Sequence, residues 1–517
     1  MVPRADIWGE VLRAFGRDRR GNVAIIFALA ILPIMAGVGC AIDYALAAKI
    51  RTQLQKAADT ASLASISFNG AGYNAAVAMT SNGTVGAGNA EATNVFNGNA
   101  SLVTGYTALN VSPTVTKTGA TLKSVVNFTA SVPTTFMGIF GTKTMTVSGN
   151  STSSASLPLY LDFYLMLDVS GSMGLPSTTA EAQRMQSINP DNYVQYPTGC
   201  TLACHFSPQN SACTDSGTQG YPTNNYCLGY AISRVSQSGY KGLLQSSSTT
   251  PMKKKLPSSI VSGLPNSLYT KLGAVANCPT DGTDACIQLR LDAVGYAVNQ
   301  LFQTANTTAK IPNQFRIGLY PFIQYLYSYF PLTSSINGSI TNPSTINYAA
   351  ANLATLLDTN MNSNLGSGGT HISESLASMK NLITSVGDGT ASNKTLPYVF
   401  LVTDGAQDPQ TKGVPNGGWA GSNHATVINP STDCAPLKSR GIIVSVLYIP
   451  YQPINPVNTS FAGNEDTYAN NNIANIPGSL SGCASPGFFY TANTPADITA
   501  ALNAMFNHAV QVAHITN

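Results

Sequence analysis

The chain has 517 residues and a formal charge of +3, and only 9% of its residues are charged, against about 25% in ordinary soluble proteins. The length accommodates several domains of about 100–200 residues each. The near-neutral balance leaves no electrostatic footprint for nucleic acid. Ser, Thr, Asn and Gly supply the polarity instead, a composition that suits an exported surface.

Residues 1–21 form a basic N-terminus carrying Arg13, Arg17, Arg19 and Arg20. Val23 to Ile42, VAIIFALAILPIMAGVGCAI, contains no charge and reaches the roughly 20 apolar residues that a transmembrane helix needs. Pro33 inside it is tolerated in that setting. The positive-inside rule keeps the N-terminus cytoplasmic and exports the rest, which predicts a single-pass membrane protein. A cleaved secretory signal is the alternative, but the apolar run is longer than a usual signal core and no A-x-A site closes it. Past the span, Leu46, Ile50, Leu54, Ala57 and Ala61 recur at helical spacing, so the helix is expected to continue to residue 65 as an amphipathic stalk. That stripe packs either on its own chain or on a partner helix.

Residues 66–156 are rich in Gly, Asn, Thr, Ser and Val, and Ser124 to Ala130 alternates as a strand does. A small β-rich module is expected there, with Gly149 to Ser156 as a polar linker. The main domain, 157–517, opens with the mostly apolar run Leu161 to Leu167. Further strands are expected at Phe315–Tyr320, Tyr398–Val402, Ile442–Tyr448 and Phe488–Thr491. Helices are expected around Ile287–Leu301, Ile372–Ile383 and Ile498–Met505, from apolar residues at helical spacing. Alternating strands and helices imply an α/β fold, a doubly wound parallel sheet covered on both faces.

Residues 174–284 interrupt this pattern as a long insertion holding most of the cysteines. Cys40 lies in the apolar segment; the other eight are Cys200, Cys204, Cys213, Cys227, Cys278, Cys286, Cys434 and Cys483. An even set outside the membrane fits disulfides in an oxidising compartment. The zinc alternative, starting from Cys200-x3-Cys204-His205, has irregular spacing and no paired C-x2-C knuckles.

Three short segments point to a cation site at the strands' carboxyl ends, where open α/β sheets bind ligands. They are Asp168-Val169-Ser170-Gly171-Ser172-Met173 after the first strand, Gly368-Gly369-Thr370 before the 372–383 helix, and Val402-Thr403-Asp404-Gly405 at the end of the third strand. Mg²⁺ takes hard oxygen ligands in octahedral geometry and keeps some of its water. Short hydroxyls from tight loops and two aspartates, direct or through water, supply that set. Neutral hydroxyls leave the cation under-neutralised, so it attracts one more anionic oxygen, such as a partner's carboxylate.

Two family resemblances follow from these residues. Arg19-Arg20-Gly21-Asn22 leading into the apolar run, Asp43-Tyr44, and Leu54-Gln55-Lys56-Ala57-Ala58-Asp59-Thr60-Ala61 resemble the N-terminus of TadE/TadG-like proteins of the tight-adherence (Flp) pilus machinery. Relatives processed after the glycine carry Glu five residues later; Ile26 stands there in this chain, which implies a retained anchor. Asp168, Ser170, Ser172, Thr370 and Asp404 match the D-x-S-x-S, Thr and Asp of the metal-ion-dependent adhesion site of von Willebrand factor A domains. That resemblance implies a Rossmann-like domain with Mg²⁺ (or Mn²⁺ or Ca²⁺) held directly by both serines, by Thr370 directly or through water, and by the aspartates largely through water. The ending, Cys434 before Lys438-Ser439-Arg440-Gly441-Ile442 and then Cys483-Ala484-Ser485, is similar to that of membrane-anchored A domains of the TadG kind and implies a Cys434–Cys483 disulfide. Cys200, Cys204, Cys213, Cys227, Cys278 and Cys286 are then available to close the insertion into three bridged loops.

Other signals carry less. His371 is read as a helix start facing solvent, Asp408 as a polar loop residue, and Lys253-Lys254-Lys255 as a solvated face. Tyr193, Tyr196, Tyr221, Tyr226 and Tyr230 fit either a binding surface or packing around disulfides. No G-x-S-x-G elbow, H-E-x-x-H or Walker A pair occurs, so no enzyme is expected. The expected function is that of a bacterial inner-membrane protein with its bulk in the periplasm. It would act in tight-adherence pilus assembly and grip a pilus-assembly component through an acidic side chain on the metal. The alternative is a surface adhesin using the same metal site for an extracellular ligand.

Overall fold

The computed structural model describes residues 22–188, 233–240, 275–358, 362–414, 419–420, 424–454, 457 and 464–515. The basic N-terminus, Cys200, Cys204, Cys213, Cys227, the tyrosine cluster and Lys253–Lys255 lie outside these residues. The chain divides into two compact units, Met1–Leu157 and Pro158–Asn517.

The first unit is organised by α1 (Asn22–Ala64), a helix of 43 residues with Pro33 inside it, about 65 Å long at 1.5 Å per residue. It contains one stretch long and apolar enough to cross a bilayer, and Val23, Phe27, Leu32 and Met35 are all exposed. From Gly39 onward one side of α1 is buried. Two further helices, α2 (Ala71–Ala78) and α3 (Gly86–Ala100), accompany a four-stranded antiparallel sheet of β1 (Gly83–Thr84), β2 (Thr107–Thr118), β3 (Thr121–Pro133) and β4 (Thr144–Ser156) in that order. Ile50, Leu54, Ala57, Ala58 and Ala61 form a core with Phe96 of α3 and Val126 and Phe128 of β3. The stalk therefore packs on its own chain. Leu46 leaves the expected stripe and is exposed, with Ala47 buried in its place.

Two expectations change in this unit. The β-rich region also contains α2 and α3. In α3, Gly and Asn have weak helix propensity and mask the signal, but Ala92, Phe96 and Ala100 repeat every four residues and are buried. Gly149 to Ser156 is not a linker but most of β4, paired with β3 from Thr121↔Ser156 to Pro133↔Thr144. Its hydroxyls face a polar seam on α1: Ser62 Oγ lies 2.9 Å from Ser151 Oγ and 2.8 Å from Ser153 Oγ. Gln55 Nε2 donates to the Asn150 carbonyl at 2.8 Å. Polarity on the covered face disguised a strand as a loop.

The second unit is built on a six-stranded sheet. Its strands are β5 (Leu161–Asp168), β6 (Phe315–Phe322), β7 (Phe330–Thr333), β8 (Leu396–Thr403), β9 (Ile443–Tyr448) and β10 (Phe489–Thr491), in the spatial order β10-β9-β8-β5-β6-β7. All neighbours pair in parallel except β6 and β7. The short return from Phe322 to Phe330 is too brief for the dozen or more residues of a parallel crossover, so the edge strand turns back. Every residue of β5 is buried, as in a parallel strand covered on both faces.

Among the described residues the α-helices of this unit, in chain order, are α4 (Thr179–Ile188), α5 (Arg290–Thr308), α6 (Ile346–Ala351), α7 (Ile372–Leu382), α8 (Ala435–Lys438), α9 (Glu465–Asn472), α10 (Ile476–Cys483) and α11 (Pro495–Ile515). Strand alternation sorts the two faces. Phe163 and Phe315 meet Phe506 of α11, ring centroids 5.1 and 5.0 Å apart, and α5 packs on α11. Tyr164, Met166, Leu401 and Val446 pack instead with Ile372 and Leu376 of α7, Leu437 of α8, and Ile476 and Leu480 of α10. Cys434 and Cys483 form a disulfide within this second core. Closing a loop of 49 residues corresponds to about 4 kcal/mol in the chain-entropy account of disulfides. Cys278 pairs with Cys286.

The described parts of the insertion are tied into this unit. Arg234 is fully buried and makes a bidentate pair with Asp292, Nη1 to Oδ1 at 2.9 Å and Nη2 to Oδ2 at 2.5 Å. Glu181 accepts the Gly282 and Gln288 N–H groups, each at 2.8 Å.

Candidate metal centre

β5 and β8 are neighbours in the sheet, with Leu167 opposite Val402. Their carboxyl ends therefore bring Asp168 beside Thr403 and Asp404. After β5 the chain passes through Ser170 into a tight turn at Gly171–Gly174. Asp168 is 1% exposed, and its Oδ1 accepts the Ser170 N–H at 3.0 Å and the Ser170 hydroxyl at 2.6 Å. Ser170 Oγ lies 3.3 Å from Ser172 Oγ. Asp168 Oδ2 accepts the Thr403 hydroxyl at 2.6 Å, and Thr403 Oγ1 in turn accepts the Gly405 N–H at 2.9 Å.

Asp404 differs from its neighbour. It is fully buried, and neither carboxylate oxygen has a hydrogen-bond partner. The Ser172 hydroxyl and the Ala406 N–H approach and favour the charged form, but neither closes a hydrogen bond. Burial, and then repulsion from Asp168, push the Asp404 carboxyl up to about 7, while the Arg290 charge opposes the rise. Burial also raises the Asp168 carboxyl. Arg290 opens α5, a helix end where a positive charge is disfavoured. Its Nη2 donates to the Pro450 carbonyl at 3.1 Å, and its buried Nη1 has no partner.

The loop carrying Thr370 is fastened to the same edge. Asp358 donates its N–H to the Val169 carbonyl at 2.9 Å, and its carboxylate accepts the Ser367 hydroxyl at 2.7 Å and the Gly368 N–H at 3.0 Å. Thr370 and Asp408 exchange backbone hydrogen bonds of 2.9 and 3.0 Å, and His371 N–H donates to Ile323 O at the end of β6 at 2.9 Å. Gly368 has φ +107°, and a Cβ on Gly369 would collide with the Asp408 carbonyl, so this close crossing requires glycine. The side-chain hydrogen bonds that unite Asp168, Ser170, Ser172 and Thr403 do not include Thr370.

The residues singled out in sequence thus fall on three loops at one sheet edge. Asp168, Ser170 and Ser172 form one hydrogen-bonded group, Asp404 stands close enough to feel the Asp168 charge, and Thr370 lies on the adjoining loop. The role of Thr403, which the sequence places in the third segment, and the presence of Arg290 and Asp358 were not foreseen. The signals for them were slight: a hydroxyl directly before the strand-end aspartate, and an arginine at a helix N-terminus. For Asp358 there was none.

Two other readings are corrected. His371 does start α7 but is buried, with Nε2 2.9 Å from the Gln410 carbonyl. Asp408 is a half-buried member of a polar cluster rather than a plain loop residue. Burial raises its carboxyl to about 7, with Glu465 adding to the rise and the Gln410 N–H and His424 opposing it. Glu465 itself accepts from Gln410 Nε2 and the Ala425 N–H, and lies 2.9 Å from His424 Nδ1.

Among the described residues no group of three His, Cys, Asp or Glu is arranged to hold a metal. The Asp168–Asp404 site is of another kind, two carboxylates among hydroxyls. Two buried like charges with two unsatisfied oxygens are costly as they stand. An all-oxygen donor set of this sort fits a hard divalent cation such as Mg²⁺, Mn²⁺ or Ca²⁺.

Several solved structures are similar to parts of the chain. The PilB minor pilin from Streptococcus sanguinis is 11% identical, over 79% of this chain and 80% of that one, at a TM-score of 0.31. The von Willebrand factor domain of the type V pili tip protein Mfa5 from Porphyromonas gingivalis is 12% identical over 44% and 89%, at 0.26. Proximal thread matrix protein 1 from the mussel byssus, with a zinc-occupied MIDAS motif, is 17% identical over 43% of each chain, at 0.25, so this chain spans less than half of that relative. These TM-scores mark weak likenesses, and the fold of the second unit stands on its own strand order. No curated protein matches the chain. Residues 21–72, which include α1, match the family described as putative Flp pilus-assembly TadE/G-like.

Proposed function

We propose that this protein is a non-enzymatic, single-pass component of tight-adherence (Flp) pilus assembly. Its N-terminus is cytoplasmic, α1 anchors it in the bacterial inner membrane, and its von Willebrand factor A-type unit stands in the periplasm. There it binds a protein partner through a metal-ion-dependent adhesion site. The family match over residues 21–72 supports the pilus context. The unsatisfied, buried Asp404 carboxylate beside Asp168, Ser170 and Ser172 carries the metal reading.

Ser170 and Ser172 offer direct oxygen ligands, Asp168 and Asp404 supply negative charge, and Thr370 contributes a hydroxyl from the adjoining loop. Thr403 holds Asp168 in orientation through its 2.6 Å hydrogen bond. Arg290 lends Asp404 a positive charge from the side. A bound divalent cation would supply Lewis acidity toward one further anionic oxygen, the carboxylate of the partner.

Two experiments test this reading. Surface pili are imaged in a strain lacking the protein, beside an attachment assay: loss of pili is expected. Intact pili with lost attachment would overturn the assembly role in favour of a surface adhesin. Separately, Mg²⁺ or Mn²⁺ at a hundredfold excess over Kd should stabilise the full chain by about 2.7 kcal/mol, read as a rise in Tm. Asp168→Ala combined with Ser170→Ala should abolish that rise. An equal response in the double variant would sink the site assignment.

A further inference from the structure

The loop between β3 and β4 is fixed to α1 at the point where the apolar run ends. Asp43, one residue past Ile42, is 4% exposed. Its Oδ1 accepts the Thr135 N–H at 3.1 Å, and its Oδ2 accepts the Phe136 and Met137 N–H groups at 2.9 and 2.7 Å. One turn back, at Gly39, a Cβ would collide with Cβ, Cγ and Cδ1 of Phe136, so that side chain lies directly against the helix backbone. Gly39 is four residues before Asp43, about 6 Å deeper along the helix. The loop therefore stands level with the last turn of the apolar run, Val23–Ile42.

Held in this way, the turn Met137–Phe140 presents Ile139 and Phe140, 77% and 65% exposed. Hydrogen bonds from Gly141 to Gly138 and from Thr142 to Met137, each 3.1 Å, close the turn. Val38, Ile42 and Tyr44 of α1 are exposed at the same level. Lys49 and Arg51, one to two turns further along α1, are exposed, with Arg51 Nε donating to the Ser148 carbonyl at 2.9 Å, and Lys143 is exposed on the return from the loop, its carbonyl accepting the Thr134 N–H. No carboxylate occurs from Pro133 to Ser156. Single exposed apolar residues are ordinary. An apolar tip locked beside the exit of an apolar helix, with an exposed tyrosine at that exit and cationic side chains following it, has the composition of a bilayer interface.

We propose that the β3–β4 loop is a second membrane contact, with Ile139 and Phe140 inserted into the leaflet from which α1 emerges. Asp43 and Gly39 are its positioning residues. The inference rests on α1 being a membrane span. Two fixed points on one bilayer restrain rotation and tilt of the helix relative to the sheet of the first unit, which a lone helix does not do.

The test uses the full chain in vesicles of phosphatidylethanolamine and phosphatidylglycerol doped with acyl-brominated phosphatidylcholine, a contact quencher of tryptophan. Trp8 and Trp419 are replaced by Phe. Phe140→Trp, at an exposed position, reports the loop, and Ile31→Trp, in a separate variant, reports the middle of the span. The indole at position 140 should lose most of its emission to bromines near the headgroups, and the indole at position 31 to bromines deep in the chains. Adding Asp43→Ala should relieve the quenching at 140 and leave that at 31 unchanged. Quenching at 31 without quenching at 140 overturns the loop contact while the span stands. Quenching at neither position removes the span, and the loop contact with it.

Discussion

Buried aspartates at the two ends of the neighbouring strands β5 and β8 stand in opposite circumstances. At the amino end, Asp162 is 3% exposed and satisfied by the protein itself. Arg316 grips it with Nε to Oδ1 at 2.7 Å and Nη2 to Oδ2 at 2.6 Å, and Thr395 Oγ1 adds a bond of 2.5 Å to Oδ2. At the carboxyl end, Asp168 is held by hydroxyls and one N–H, and Asp404 beside it has no hydrogen bond at either oxygen. A buried charge is normally paired or neutralised. Where the fold completes the pairing, as at Asp162, the residue serves stability. Where it leaves the pairing open at the carboxyl edge of a parallel sheet, the residue is available to a ligand.

Arg316→Ala strands Asp162 with a single side-chain donor. A loss of about 3 kcal/mol is expected, the low end for breaking a buried pair, because the Arg316 side chain is itself 42% exposed. The urea midpoint of the metal-free protein reads it. A loss near zero would show that the two ends of the strand are not energetically distinct.

The open end should respond with the opposite sign. Asp404→Asn removes a buried charge without changing its shape, so metal-free stability above pH 7 should rise by about 1–2 kcal/mol. The same variant should lose the rise in Tm on adding Mg²⁺. The pH dependence has the same origin. Between the ordinary 3.8 and about 7 for Asp404, the folded state binds a proton that the unfolded state has released. Metal-free stability therefore falls as pH rises through that window. Asp404→Asn should flatten the fall, and a slope as steep as in the parent would assign the pH dependence to other groups. Asp408, also pushed up to about 7, contributes a fall of the same sign, so Asp408→Asn should remove a further part of the slope. Thr403→Val removes both hydrogen bonds of Thr403 Oγ1, to Asp168 and from the Gly405 N–H, so a loss of about 1–2 kcal/mol is expected, with a weaker metal response because Asp168 loses its orienting donor. Measuring Mg²⁺ affinity by calorimetry in that variant separates orientation from ligation, since Thr403 is not among the proposed ligands.

Much of the second unit is legible in the order of its residues. Eight consecutive residues from Leu161 to Asp168 make a buried strand because apolar runs of that length need cover on both faces, and the strands and helices that follow keep their periods. D-x-S-x-S after one strand and Asp404 after another mark the same sheet edge, because parallel strands put their carboxyl ends together. The first unit was less legible. In α3 and β4, Gly, Asn, Ser and Thr occupy positions that pack on α1, so polarity no longer reports exposure.

Local order along the chain accounts for the apolar run and its length, the periods of the main strands and helices, and the chemical types in the three loops. Only the tertiary structure decided which buried carboxylates are satisfied. Asp162 and Asp168 lie on the same strand, six positions apart, and nothing local says that Arg316 reaches one while Thr403, Asp404 and Arg290 gather at the other. Likewise only the folded chain brings the Phe136–Phe140 loop back against Gly39 and Asp43, nearly a hundred residues earlier. Hydrogen bonding and burial are properties of neighbours in space, and partners so distant in the chain leave no periodic trace of their meeting.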